Sequence, residues 1–315
     1  MNSRQHMNQI KSIAIAALPV DEHIRVMRHR IQGKYPGKRI CIVTGTHGDE
    51  LEGQYVCYKL GEILQANSHL LHGTVDIYPA LNPMGIDSIQ RGVPGFDLDM
   101  NRIFPGNAGG SLTESLAHKI INDMKGADFA IDIHASNIFL RELPQVRINV
   151  NTADTLVPYA QLLNVDLIWI HEAATVLEST LAWSLNSIGV KTLVVEMGVG
   201  MRITPEYGDR LVEGIFNLMR HEGMWDGIAP DIRYHPLIVP SDGVSFLNAD
   251  VSGVFIPSIS YNMNVRRGDE IGRIVSSLEG KVLCRVSAPC DGLVMTIRAY
   301  PIVYEGSLLA RIYNR

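Results

Sequence analysis

The residues best equipped for chemistry begin with Thr44-Gly45-Thr46-His47-Gly48-Asp49-Glu50, which follows directly on the apolar run Arg39 to Val43. His47 and Glu50 stand three residues apart where a strand gives way to a helix, a spacing at which two side chains converge on one ion. The glycines let the backbone turn sharply and admit a substrate. By itself such a quartet also serves as a surface ion pair or a helix cap, so its partners downstream decide its meaning. His134 follows the strand-like Phe129-Ala130-Ile131-Asp132-Ile133. In open α/β sheets the ligand crevice lies beyond the carboxyl ends of the strands, where both histidines would emerge. Two imidazoles and one carboxylate would hold one Zn2+ and leave a fourth position for water, as catalytic zinc sites do. The plain alternative for His134 is a strand-end histidine bonded to a backbone carbonyl. Asp132 shares the strand face of His134 by the two-residue period, and would either orient that ligand or pair with a cation.

Glu196 closes the apolar strand Thr192-Leu193-Val194-Val195. A carboxylate there is costly unless it is paired or reaches a wet cleft. Beside a metal it would act as a general base, taking a proton from water and returning it to a leaving amine; otherwise it is half of a buried ion pair. Arg91, Asn101 and Arg102 lie in Asn82 to Gly110, a segment dense in Gly, Pro and Asp that reads as a substrate-binding loop. Asn101 and Arg102 suit a substrate carboxylate, and Arg91 suits the oxyanion of a tetrahedral intermediate; solvated loop arginines are the alternative for both.

These residues need a scaffold, and the chain supplies one. From about Arg39 to Gly223, strands expected at Ile40–Thr44, Thr74–Tyr78, Phe129–Ile133, Arg147–Val150, Leu167–Ile170 and Thr192–Glu196 alternate with helical segments, the pattern of an α/β sheet covered on both faces. Ser111-Leu112-Thr113-Glu114 has the form of a capping box, and Thr204-Pro205-Glu206 offers an N-cap and a first-turn proline. After about Pro230, short strand-like pieces separated by Asp-Gly, Arg-Gly-Asp and Glu-Gly turns read as a small all-β domain. The expected division is a catalytic α/β domain over 1–230 and a β domain over 231–315.

Across 315 residues with a net charge of -5, no Lys/Arg cluster marks a nucleic-acid or anionic-membrane surface, so small molecules are the expected partners. Cys41, Cys57, Cys284 and Cys290 lack Cys-x-x-Cys spacing and read as reduced core thiols of a cytoplasmic protein. The run Ile13 to Leu18 imitates a secretory signal but is closed too early by Pro19-Val20-Asp21-Glu22.

Taken in order, His47-Gly48-Asp49-Glu50, Asp99-Met100-Asn101-Arg102, Asp132-Ile133-His134 and Val195-Glu196-Met197-Gly198 resemble the motifs of the succinylglutamate desuccinylase/aspartoacylase family, within the zinc carboxypeptidase-like superfamily. The resemblance implies a mixed sheet flanked by helices with a small C-terminal β domain. It implies zinc on His47, Glu50 and His134, Glu196 as base and acid, and substrate carboxylate on Asn101 and Arg102. Arg91 would match a family arginine less securely, and Arg147 would be a further pocket residue. Asp49 departs from the Asn often found there, adding a negative charge beside the metal. Ser252 to Arg311 also looks similar to a lipoyl or biotinyl barrel-sandwich module. It lacks the tip lysine that would carry the cofactor, so a pocket-covering role is expected, with Tyr300 or Tyr304 as its contribution. The function this implies is zinc-dependent hydrolysis of an N-acylated amino acid or related N-acyl amine. A metallocarboxypeptidase acting on short peptides and a non-catalytic metal or small-molecule binding protein are the alternatives, and homo-oligomerisation is left open.

Overall fold

The computed structural model describes residues 9–172, 178–228 and 232–314. Among them are the helices α1 (Glu52–Ala66), α2 (Pro83–Ser88), α3 (Leu112–Met124), α4 (Ala153–Ala160), α5 (Leu181–Ser187) and α6 (Pro205–His221). The strands preceding residue 230 are β1 (Gln9–Ala17), β2 (His23–Gln32), β3 (Tyr35–Thr44), β4 (His72–Tyr78), β5 (Phe129–Ala135), β6 (Leu140–Asn149), β7 (Leu167–His171) and β8 (Lys191–Gly198). Those after it are β9 (Leu237–Val239), β10 (Val244–Asn248), β11 (Gly253–Pro257), β12 (Asn264–Val265), β13 (Glu270–Ser276), β14 (Lys281–Ser287), β15 (Gly292–Arg298), β16 (Ile302–Val303) and β17 (Leu308–Asn314).

Two-residue alternation in the central strands builds two cores. In β3, Ile40 and Ile42 join the core under α1 and α6 with Val56, Leu60, Ile215 and Met219. Cys41 and Val43 join the opposite core with Leu116 and Ile120 of α3 and Leu181 and Leu185 of α5. Strands buried on both faces read as continuous apolar runs, and each fully buried Ile or Leu contributes about 1.5–3 kcal/mol. The parallel set β4-β3-β5-β8 forms the centre of the main sheet. Antiparallel β2 and β6 flank it, making the sheet mixed as expected.

The main sheet does not stop near residue 230. Leu140, Arg141 and Glu142 of β6 pair with β15, and β17 and β10 follow, so the main path is β1-β2-β4-β3-β5-β8-β6-β15-β17-β10, with β7 and β9 attached at β6 and β12 at β15. β14-β13-β11-β16 form a separate four-stranded sheet. Phe255 and Ile274 from it share a core with Val294, Ile297 and Ile312 of β15 and β17. All the regular structure described after residue 232 is therefore strand, apart from one short turn at Ser241–Gly243.

Three local features differ from expectation and one, the capping box, agrees. The run Ile13 to Leu18 forms most of edge strand β1, which buries Ala14 while leaving Ile15 exposed. β6 starts seven residues before the expected Arg147, because Pro144 falls where the pairing with β8 slips between Glu142 and Gln145; a bulge tolerates the missing N–H. The capping box at Ser111 forms, with Ser111 N–H donating to Glu114 at 2.8 Å. Thr204 makes no side-chain cap for α6: its hydroxyl donates instead to buried Glu52 at 2.8 Å, a charged acceptor that outcompetes the helix backbone.

The four cysteines are unpaired; Cys41 and Cys57 are buried, whereas Cys284 and Cys290 are partly exposed and pack at the edge of the C-terminal core. No helix among the described residues is long and apolar enough to cross a membrane.

Candidate active site

The alternation that builds the cores also puts the chemistry on one side of the sheet. β5 sends Phe129, Ile131 and Ile133 to the α1/α6 core, so Asp132 and His134 face the other way. β8 does the same with Leu193, Val195 and Met197, leaving Glu196 on the side of His134, its direct neighbour across the pair. β6 buries Val146 and Ile148 and turns Arg147 outward to the same place. His47 and Glu50 arrive from the turn after β3. That turn packs so closely on α2 that a Cβ on Gly48 would lie 1.9 Å from the Gly85 carbonyl carbon.

His47, Glu50 and His134 are all buried, and one ligand atom from each lies within 4.8 Å of the others. Glu50 bridges the imidazoles: Oε1 is 2.7 Å from His47 Nδ1 and Oε2 is 2.9 Å from His134 Nδ1. The far nitrogens each face a further carboxylate, with His47 Nε2 3.1 Å from Asp99 and His134 Nε2 3.2 Å from Asp132. That is the arrangement of metal-ligating histidines, whose second N–H is held by a carboxylate that fixes the ring. His134 Nε2 and both Asp132 oxygens are nonetheless buried without an aligned hydrogen bond, the ring being drawn toward Glu50 by its other nitrogen. A divalent cation shared by the two Nδ1 atoms and Glu50 suits this donor set, and two nitrogens with one oxygen are what catalytic zinc takes.

Charges in the cleft are strongly coupled. Burial works against ionising Glu50, but the imidazoles of His134 and His47 outweigh it and hold the carboxyl well below its usual range. Burial likewise opposes charge on His134, yet Asp132 and Glu50 raise it well above the usual imidazole value, and Glu50 and Asp99 raise His47. Burial pushes Glu196 up, with Arg147 and His134 pulling the other way. Asp49 is also pushed up, by burial and by the neighbouring Glu50, with Arg91 and His47 pulling the other way.

The remaining expected residues reach the same cleft, a cavity of about 430 Å³ lined by Arg91, Asn101, Arg102, Glu196 and Arg147 with the three candidate ligands. Asn101 Oδ1 accepts the Leu181 N–H at 2.9 Å, which leaves its NH2 as the group with which it would meet a carboxylate. Arg102 is exposed and donates to the Asn101 carbonyl at 2.8 Å. Arg91 leans on Glu50 at 2.8 Å and on Asp99 at 3.4 Å. Arg147 bridges two carboxylates, Glu142 at 2.8 Å and Glu196 at 3.2 Å. Of the two tyrosines, Tyr300 packs edge-on against rim residue Phe139 with ring centroids 5.7 Å apart, and Tyr304 is 71% exposed; neither lines the cleft among the described residues.

Three contributors were not singled out from sequence. Asp99 holds both His47 Nε2 and the Asn101 N–H, and the acid two residues ahead of Asn101 was its signal. Glu142 and Arg311 are paired at the cleft wall, Arg311 arriving from β17. A lone arginine between buried Ala310 and Ile312 was legible as an anomaly in an apolar strand, but not its destination.

Comparison with known proteins agrees with this arrangement. Residues 36–222 match the model of the succinylglutamate desuccinylase/aspartoacylase catalytic domain. The chain is 27% identical over 295 residues to N-alpha-acetyl-L-2,4-diaminobutyric acid deacetylase of Halomonas elongata, an alignment covering 88% of this chain and 82% of that one. Among solved structures, a succinylglutamate desuccinylase/aspartoacylase from Rhodobacter sphaeroides superposes with a TM-score of 0.83 at 22% identity, covering 100% of this chain and 98% of the other. The product-bound ectoine utilization protein of Ruegeria pomeroyi gives 0.83 at 20% identity, covering 96% and 93%. These likenesses share the fold, while the matched catalytic domain spans the strands and loops that carry His47, Glu50, Asn101, Arg102, His134 and Glu196. The chain belongs to the succinylglutamate desuccinylase/aspartoacylase family.

Proposed function

We propose that this protein is a zinc-dependent deacylase that hydrolyses the amide bond of a small N-acylated amino acid. The observation that carries the reading is the convergence of His47, Glu50 and His134 within 4.8 Å, with Glu196 beside His134 on the adjoining strand. Zinc held by those three side chains would supply an acidified water and a Lewis acid for the scissile carbonyl. Glu196 takes the water proton and returns it to the departing nitrogen; a carboxyl raised by burial is suited to both transfers. Asn101 and Arg102 hold the carboxylate of the amino acid. Arg91 steadies the oxyanion, for which it must give up one of its two contacts with Glu50 and Asp99. Asp99 and Asp132 fix the imidazoles.

A small substrate is favoured over a peptide by the enclosure of the cleft. The Phe139 carbonyl accepts the Ala299 N–H at 2.8 Å, and Arg311 enters from β17, so the C-terminal strands wall the site. The Halomonas elongata relative, a deacetylase of an N-acetyl diamino acid, makes acetyl the first acyl group to try.

Metal analysis combined with a hydrolysis panel of N-acyl amino acids and short peptides tests the proposal. Release of free amino acid from N-acyl substrates is expected, with zinc bound at one ion per chain. Preferential cleavage of peptides would make it a carboxypeptidase, and bound zinc without turnover would make it a binding protein. Glu196→Gln should retain zinc and lose about 10²–10⁴-fold in kcat; near-normal turnover would remove Glu196 from the role of base.

A further inference from the structure

The wall of the cleft carries a row of alternating charges that starts outside the matched catalytic domain. Arg311, on the last strand, reaches Glu142 Oε1 through Nη1, and Thr296 donates to the same oxygen at 3.4 Å. Glu142 Oε2 accepts Arg147 Nη2 at 2.8 Å and Gln145 at 3.1 Å. Arg147 Nη1 is then 3.2 Å from Glu196 Oε1. The row runs Arg311, Glu142, Arg147, Glu196. Glu142 is 1% exposed, so its charge must be compensated in place. Both guanidiniums also lie over Trp169, each 5.6 Å from the ring centroid, within the range of cation–π attraction.

The division of Glu142 between two arginines has a consequence for the third group. A carboxylate with a single guanidinium partner commonly takes two of its N–H groups in parallel, one on each oxygen. Here Arg311 occupies Oε1, so Arg147 makes a single contact with Glu142 and its other Nη is turned to Glu196. We propose that Arg311 is a positioning residue: by occupying Glu142 it holds Arg147 against Glu196, so that the C-terminal β segment sets the geometry of the catalytic carboxylate. This rests on the deacylase reading for its kinetic consequence and on the ion-pair geometry alone for its structural one.

In Arg311→Met, Glu142 would draw both Nη atoms of Arg147 and leave Glu196 without its partner. The expected result is a loss of about 10- to 100-fold in kcat with KM little changed, since a positioning defect acts on the chemical step. Neutralising Glu142 should undo this. Arg311→Met/Glu142→Gln is expected to recover most of the lost kcat, and Arg311→Lys, which keeps a charge on Glu142, to lose little. If Arg311→Met does not fold, the comparison is made from Glu142→Gln, which leaves no lone buried carboxylate; adding Arg311→Met to it should change kcat less than about threefold. No recovery in the double variant, or a full further loss on the Glu142→Gln background, would overturn the proposal.

Crystal structures of the variants decide the same point without turnover. The Arg147–Glu196 contact should open in Arg311→Met, or in its place Arg147 should stay put in Arg311→Met/Glu142→Gln. An unmoved Arg147 in Arg311→Met refutes the positioning role. Absence of any hydrolysis by the wild-type protein would instead refute the deacylase reading, and leave the structural comparison standing.

Discussion

Gly198→Ala is expected to be among the most damaging small substitutions in the protein. Gly198 ends β8 two residues after Glu196 at φ +68°, a conformation that costs an L-residue about 1–2 kcal/mol. A Cβ there would lie 1.9 Å from Glu52 Oε1 and 2.6 Å from Glu52 Cδ. Glu52 cannot retreat freely, because it is fully buried and accepts from the Thr204 N–H at 2.7 Å and the Thr204 hydroxyl at 2.8 Å. Displacing the carboxylate forfeits two hydrogen bonds to a charged group, each worth about 1.5–3 kcal/mol. With the backbone strain, the total comes to about 4–8 kcal/mol, comparable to the whole stability of many domains. Urea unfolding measures it, with Gly189→Ala as control: Gly189 also has positive φ, at +88°, but nothing lies within 4 Å of its Cβ position. The control should lose only the strain. A cycle with Glu52→Ala should show strong coupling, since that change removes the obstacle. A Gly198→Ala midpoint matching that of Gly189→Ala would refute the reasoning.

Further outcomes follow from the site and the thiols. The imidazoles of His47 and His134 are raised when no metal is present, so a cation must displace protons from them; zinc affinity should strengthen as pH rises through neutrality toward those raised values, with proton release visible by calorimetry in buffers of different ionisation enthalpy. The metal-free protein should show the matching stability trend. The histidine contribution is fully present below the unfolded imidazole pKa and is lost as pH rises through the raised folded values, whereas the contribution of depressed Glu50 is present above the unfolded carboxyl pKa and is lost only as pH falls through its low folded value. Asp132→Asn should keep the ligand set but weaken zinc binding about 10- to 100-fold, read by competition with a chelator; unchanged affinity would mean Asp132 does not support His134. Burial pushes the thiols of Cys41 and Cys57 up to about 12, so a thiol reagent at neutral pH should reach only Cys284 and Cys290 until the protein unfolds.

What the sequence disclosed depended on how local its signals were. The central strands were readable because Phe129 to Ile133, Asp132 apart, and Leu193 to Val195 are nearly continuous apolar runs in the middle of the sheet. The metal candidates were readable because they stand at or just beyond the carboxyl ends of β3 and β5. The first half of β6 is hard to read from sequence because Pro144 lacks the N–H a ladder needs, and only the bulge opposite β8 accommodates it. Strand β1 is not announced by the sequence, because an edge strand carrying one apolar face looks like any short apolar run. Asp99 could be seen in its motif without a role, since nothing local says that its carboxylate reaches His47. Glu142 and Arg311 are separated by 169 residues, and their meeting depends on β15 joining β6, a pairing no periodicity announces.

The two-partner edge of β6 makes the matched segment a poor unit to isolate. One side of this strand pairs with β8, while the other is shared, Leu140–Glu142 binding β15 and Gln145–Asn149 binding β7, with Pro144 at the change of partner. A fragment ending near residue 222 would strip β15 away and bare the backbone donors and acceptors of Leu140 to Glu142, beside a carboxylate that had lost one of its two cations. Exposed edges of that kind recruit other strands, so such a fragment would tend to self-associate. Exchange of C-terminal segments between relatives meets the same constraint: a graft would have to bring a strand in register with Leu140 and an arginine for Glu142. The tail is thus tied to the head by one seam of backbone and one of charge, and a workable chimera has to preserve both.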